Sequence, residues 1–286
     1  MAIVNADDYG LTAGVNRAIE EGHRAGFVTS TTVLLNGDAA GEASDLPRAA
    51  PDMSVGVHVN LTLGRPTSDP GRIPSLVTAD GCFHSRVALV RLVLRRKVSA
   101  QDVVREARAQ IDALRGLGIA ATHWDTHQHV AELPPLARAV GAAAKEAGIL
   151  RARTPRVWIV NADDAPFVAR WRWRVSNPRR VAGEVARAVS HHAVSRMFAT
   201  PAFRAAPNLV SAPSLTYLER WEFVLSHLPP GTCEVMTHPG YVDDRVRELT
   251  PTLTTARALD HQVATSPDTK AMLGEAGVVL IPFARL

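Results

Sequence analysis

Cysteine is nearly absent from this 286-residue chain: only Cys82 and Cys233 occur. A disulfide framework is thereby excluded, a reducing cytoplasm fits, and without a CxxC pair a thiolate zinc site has no ligands. No apolar run approaches the roughly 20 residues that a bilayer span needs. The opening MAIVNADDYG has neither a basic n-region nor an apolar stretch with a small-residue cleavage site, so a cytoplasmic protein without a signal peptide is expected. Charge of neither sign dominates: 32 Lys and Arg against 28 Asp and Glu leave a net +4. The arginines gather between Arg151 and Arg187, where Arg170, Arg172 and Arg174 alternate with Trp171 and Trp173, and Arg179–Arg180 follow. That stretch reads as an exposed insertion or as a basic lid over a ligand. No recognisable nucleic-acid-binding module accompanies it, so nucleic acid is not an expected partner.

What is present is a globular composition, 46% hydrophobic and 21% charged, which argues against disorder. Ala2–Val4 reads as a short apolar strand running into Asn5-Ala6-Asp7-Asp8. Thr12 then caps an amphipathic helix that turns Val15, Ala18 and Ile19 inward. A β-branched strand over Thr31–Leu35 precedes a helix across 39–49. Val55, Val57 and Val59 alternate with Gly56, His58 and Asn60, which places His58 and Asn60 on one strand face, opposite the valines. Residues 63–84 form a long loop of the kind that borders active sites. Helices follow over 86–95 and over 100–117, the second capped by Ser99. A strand over Ala120–Trp124 delivers Asp125-Thr126-His127-Gln128-His129. Beyond it come a helix over 136–147 and a short strand over Leu150–Arg153. After the irregular section 154–212, the pattern predicts a helix over 215–228, a strand over 232–237, helices over 254–264 and 267–276, and a last strand over 278–281. Alternating strands and helices predict a mainly parallel sheet or (β/α) barrel, whose chemistry sits at the C-terminal strand ends. Asp7–Asp8, His58, His127/His129 and His238 all fall there.

Adjacent carboxylates at Asp7 and Asp8 repel when both ionise, so a cation or a shared proton is expected nearby, with one residue a metal ligand and the other a general base. Asp also serves as a cap or turn residue, and the pair alone does not choose. Ile3–Asp8 recurs letter for letter as Ile159–Asp164, but the flanks differ completely and the second copy reads as a coincidental strand-end turn. His127 and His129 stand two apart, which in an extended segment points both rings, with Asp125, to one side. His58 adds an imidazole from a separate strand. Asp8 with two of these histidines makes an N2O set with positions open for water and substrate, as catalytic metals require. His238, in Met236-Thr237-His238-Pro239-Gly240, suits protonation of a poor amine leaving group, and equally a turn before Pro-Gly. The other histidines lack comparable context.

The segments Asn5–Leu11, Val28–Thr32, Gly56–Thr62, Thr122–His129 and Met236–Gly240, in that order, resemble the YdjC-like carbohydrate deacetylases. That family includes chitooligosaccharide deacetylases and deacetylases of hopanoid synthesis. The resemblance implies one domain over 1–286, a distorted (β/α) barrel of the polysaccharide-deacetylase kind, with a variable Arg/Trp-rich insertion at about 154–212. It implies one divalent metal, magnesium or zinc first, held by Asp8, His58 and His127. Asp7 would be the base, His238 the acid, and His129, Asn60, Asp125 and Tyr9 substrate-side or supporting residues. It further implies an N-acetylated sugar substrate, acetate release and a homodimer. Tyr9 stands where Phe is usual, Thr126 where Ser is usual, and Ala131 where a further histidine often follows. The alternatives are a metal-dependent amidase or esterase acting on a non-carbohydrate small molecule, or a non-catalytic carbohydrate- or nucleic-acid-binding protein.

Overall fold

In the computed structural model the apolar N-terminal run becomes strand β1, Ala2–Tyr9, with all eight residues buried. The described residues are 1–154, 157–158, 203–211, 225 and 228–286. The other strands are β2 (Ser30–Val33), β3 (Ser54–Val59), β4 (Trp124–Thr126), β5 (Val157–Trp158), β6 (Asn208–Ser211) and β7 (Cys233–Thr237). They form one seven-stranded sheet in the order β4-β3-β2-β1-β7-β6-β5, with every pairing parallel. β1 lies at the centre, and its residues are buried on both faces, which explains why its first three, Ala2–Val4, are all apolar in place of an alternating pattern.

The sheet curls until its two ends approach each other, and residues 151–153 join them. Trp124 N donates to Arg151 O at 3.1 Å, Arg153 N to Trp124 O at 3.1 Å, and Ala152 N to Arg204 O at 2.9 Å. The expected distorted (β/α) barrel is therefore what forms. Helices α1 (Ala13–Arg24), α2 (Leu46–Ala49), α3 (Arg86–Leu94), α4 (Ala100–Gly116), α5 (Pro134–Glu146), α6 (Asp244–Leu249), α7 (Thr254–Thr265) and α8 (Pro267–Glu275) surround it. Thr12 and Ser99 cap α1 and α4 by accepting from Val15 N and Asp102 N, as their positions predict. α1 packs on α7 and α4 on α5, over a core that includes Val4, Ala6, Val33, Val57, Val59 and Val235.

Several boundaries differ from the sequence pattern. β1 continues through Asp7 and Asp8, so the carboxylates belong to the strand and do not follow it. The stretch 39–49 divides into a 3-10 segment (Ala40–Asp45) and the single turn α2, because Pro47 and Gly41 weaken a continuous helix. The final strand reduces to a single bridge between Leu280 and Ala2. Thr29 already bonds Val4 on that edge of β1, leaving room for no longer ladder. The tail instead closes one end of the barrel: Ile281 and Phe283 pack on Ile3, and the Phe283 ring stacks on His123 at 3.9 Å. Of the predicted helix 215–228 only Leu225, which is helical, and Leu228 are described. The second Asn-Ala-Asp-Asp copy and the Arg/Trp alternation lie outside the described residues.

Gly56 fits because β3 passes close to His123: a Cβ there would sit 2.7 Å from both the His123 ring and its carbonyl oxygen. Gly56→Ala is expected to cost about 1–3 kcal/mol through overpacking, measurable as a shift in the urea midpoint.

Candidate active site

In a regular strand, Asp7 and Asp8 would point to opposite faces. The β1–β2 register slips between Ala6 and Tyr9, and Asp8 takes a φ of 68°, a left-handed conformation rare outside glycine. Bulges and such backbone conformations gather at functional sites. The consequence here is that both carboxylates reach the same side-chain cluster, each grouping with His58.

Around Asp8 the geometry is tight. Its Oδ1 lies 3.0 Å from His127 Nδ1 and 3.2 Å from His58 Nε2, and the two ring nitrogens are 3.3 Å apart. Two imidazole nitrogens and one carboxylate oxygen that converge in this way form an N2O donor set, which a divalent cation satisfies together. Bonds of about 2.0–2.2 Å to a common ion place neighbouring ligand atoms roughly 3 Å apart, as they are here. Asp8, His58 and His127, all buried, can therefore hold a divalent cation. Behind the triad, His58 Nδ1 donates to Asp125 Oδ1 at 2.6 Å, and the Thr32 hydroxyl donates to Asp125 Oδ2 at 3.1 Å. Such a carboxylate fixes the imidazole tautomer and orientation that a metal ligand needs.

Asp7 is gripped from the other side. Arg153 donates from Nη2 to Oδ1 at 2.6 Å and from Nη1 to Oδ2 at 2.7 Å, and Asn5 Nδ2 donates to Oδ1 at 2.9 Å. The same guanidinium reaches Asp125 Oδ2 at 2.8 Å and donates from Nε to Glu234 Oε1 at 2.6 Å. Arg257, fully buried, pairs with Asp8 Oδ2. Four carboxylates (Asp7, Asp8, Asp125, Glu234) thus share two guanidiniums, and the surplus negative charge favours a bound cation. His238 Nε2 stands 3.7 Å from Asp7 Oδ2, and its backbone N–H donates to Asp260 Oδ2 at 2.7 Å.

The electrostatics follow from these partners. Burial is the largest single influence on Asp7 and opposes its ionisation, but Arg153, with His58 and His238 adding to it, holds the carboxyl well below the usual range. Asp8 is held down in the same way, against burial, by His127 and Arg257. Burial disfavours charge on His58, yet the Asp125 and Asp8 carboxylates push its pKa up to about 10. Burial raises Glu234 to about 7 despite Arg153, and burial lowers His238. A histidine raised from 6.5 to about 10 stabilises the metal-free fold fully below pH 6.5, and that contribution fades as pH rises through 10. An acid raised from 4.5 to about 7 binds its proton more tightly when folded, so stability also falls as pH climbs from 4.5 to 7. The depressed Asp7 and Asp8 contribute slopes only below the ordinary value of 3.8. Below pH 6.5 the opposite sign comes from His123 and His129, lowered by burial to about 3 and about 4, and from His238, also lowered. From pH 6.5 to 10 the His58 contribution remains, and metal-free protein loses stability there. Melts in chelator across that window check this, and a rising midpoint would contradict it.

The remaining expected residues lie as follows. His127 and His129 do not share a strand face: β4 ends at Thr126, and Gln128 and His129 take φ of 53° and 54°. His129 is not among the residues whose donor atoms group together to hold a cation. Burial, with Arg153 adding to it, lowers its pKa to about 4. Asn60 caps the turn after β3, with Oδ1 accepting from Thr62 N and Leu63 N and Nδ2 donating to Asn36 Oδ1. Tyr9 is wholly buried in the core with its hydroxyl on Glu20 at 2.9 Å, so it does not face the cluster. Residues not anticipated are Asn5, His123, Arg153, Glu234, Arg257 and Asp260. Two of them carried a local clue. Arg153 ends the predicted strand 150–153, where the other site residues also sit at strand ends, and Glu234 is an acid inside an otherwise apolar strand.

Fold and site together define a parallel (β/α)-barrel protein with a buried aspartate–histidine cluster, able to hold a divalent cation, at the C-terminal strand ends. The chain belongs to the YdjC-like protein family, whose model matches residues 1–275. It is 32% identical over 279 residues to proteins named chitooligosaccharide deacetylase from Salmonella schwarzengrund and Salmonella typhimurium, covering 96% of this chain and 94% of each relative. Its fold is similar to the solved structure of an Enterococcus faecalis V583 protein provisionally named for cellobiose-phosphate cleavage. The TM-score is 0.75 at 23% identity, over 99% of this chain and 97% of that one.

Proposed function

We propose that this protein is a metal-dependent hydrolase that removes the N-acetyl group from an acetamido sugar or short N-acetylated oligosaccharide and releases acetate. The observation that carries the reading is the convergence of Asp8 Oδ1, His58 Nε2 and His127 Nδ1 within 3.0–3.3 Å of one another, beside the second carboxylate of Asp7. The names of the deacetylase relatives support the choice of substrate.

In this reading Asp8, His58 and His127 hold the cation. When bound, a divalent cation supplies Lewis acidity, which makes a neighbouring water easier to deprotonate and polarises the acetyl carbonyl. Asp7 accepts the proton of the attacking water. Arg153, bonded to both its oxygens, keeps Asp7 ionised and aimed, and also weakens it as a base, so the proton is readily passed on. His238, 3.7 Å away and kept neutral by burial, takes that proton and delivers it to the departing amine. Asp125 and Thr32 hold the His58 ring, and His129 faces the substrate side.

Acetate release from N-acetylated mono- and oligosaccharides, by metal-loaded and by chelator-stripped protein with parallel metal analysis, tests the proposal. Acetate is expected only from the loaded form. Release that ignores chelation, or stoichiometric metal with no acetate from any acetamido sugar, would overturn it.

A further inference from the structure

Helix α3, Arg86–Leu94, has an apolar sequence, RVALVRLVL, yet among its residues only Leu89 is fully buried. At about 100° per residue, Leu89, Leu92 and Val93 face the protein, while Val87, Val90 and Leu94 line up on the outer side. Val87 is 60% exposed and Leu94 74%, among the largest apolar exposures in the described residues. The same geometry sets Arg86 on one flank of this stripe and Arg91 and Arg95 on the other, and Arg96 and Lys97 follow directly. All five cations are exposed, and none is ion-paired among the described residues. From Arg86 to Lys97 there is no acidic residue at all.

From this we infer that α3 docks the protein on the surface of an anionic lipid bilayer, the apolar stripe seated among the acyl chains and the cations on lipid phosphates. An apolar stripe flanked by basic residues is the pattern by which helices lie in a membrane interface. Charge decides against the other occupants. A second copy meeting this patch about a two-fold axis would bring the same cations against each other, which like-charge repulsion opposes. A nucleic acid would satisfy the arginines and leave Val87 and Leu94 unrewarded. The contact is peripheral: no helix among the described residues is long and apolar enough to cross a membrane. The inference does not depend on the catalytic proposal.

Co-sedimentation of the full-length, metal-loaded protein with vesicles tests it. One set is phosphatidylcholine alone, and the other contains about a third phosphatidylglycerol. Binding is expected to the anionic vesicles at low salt, with little on phosphatidylcholine. Val87→Ser/Leu94→Ser and, separately, Arg91→Glu/Arg95→Glu should each lower the partition about tenfold or more, with hydrolysis of a soluble substrate unchanged. Absence of binding to anionic vesicles overturns the inference, as does full binding by the serine variant. A serine variant that changes a dimer to a monomer without altering vesicle binding also overturns it, and assigns the face to a second copy.

Discussion

Replacing Asp7 by Asn is expected to lower the rate of acetate release by about 10²–10⁴ while leaving bound metal at the level of the unchanged protein. The geometry separates the two properties. Asp7 touches Arg153 and Asn5, whereas the ligand-forming contacts among Asp8, His58 and His127 do not include it. Asn is nearly isosteric but cannot hold a proton taken from water, and it accepts from Arg153 through one oxygen only. Arg153 keeps Asp125 and Glu234 as partners, so the fold should persist. Metal analysis beside initial rates decides the matter. A variant as fast as the parent would remove Asp7 from the role of base. Loss of metal would mean that it belongs to the coordination set. Asp8→Asn is the complementary case, in which metal and activity are expected to fall together.

Arg153→Met is expected to destabilise the metal-free protein by about 3–5 kcal/mol, the range typical of breaking a buried ion pair by removing one partner. Arg153 is 7% exposed, and its guanidinium serves Asp7, Asp125 and Glu234, all buried and all left without it. The sign with pH follows. Arg153 holds Asp7 below 3.8, so its removal raises the folded pKa and lets the variant take up a proton as pH falls. The deficit relative to the parent should shrink on moving from neutral pH towards the carboxylate range, and added divalent metal should offset part of it. Arg153→Lys keeps the charge without the planar fork and should lose less. Urea denaturation at two pH values measures all three. A deficit under about 1 kcal/mol for Arg153→Met would show that the site tolerates its surplus charge without this residue.

Local pattern carried most of the elements. The valine alternation in β3, the Thr12 and Ser99 caps and the apolar run of β1 all form where periodicity and capping chemistry place them. These effects act within a few residues along the chain, so the chain order contains them. The exceptions are instructive. The His127/His129 pairing assumed that extended backbone continues past Thr126, and the two left-handed residues that stop it, Gln128 and His129, have no glycine to announce them. The terminal strand shrank to a bridge because a competing segment holds the edge of β1, a fact about neighbours in space.

The candidate site divides along the same line. Asp7, Asp8, His58, His127 and His238 were identifiable because strand ends in an α/β barrel gather on one side and because adjacent carboxylates call for a cation or a shared proton nearby. Their guanidinium partners were not. Arg153 lies 146 residues from Asp7 and Arg257 lies 249 from Asp8, distances along the chain over which no periodicity extends. The amino-acid order alone settled most of the elements and which polar residues lie near strand ends, since those depend on neighbouring side chains. The closed barrel alone settled which charges face one another, because Coulomb attraction and burial act through space between groups that only folding brings together.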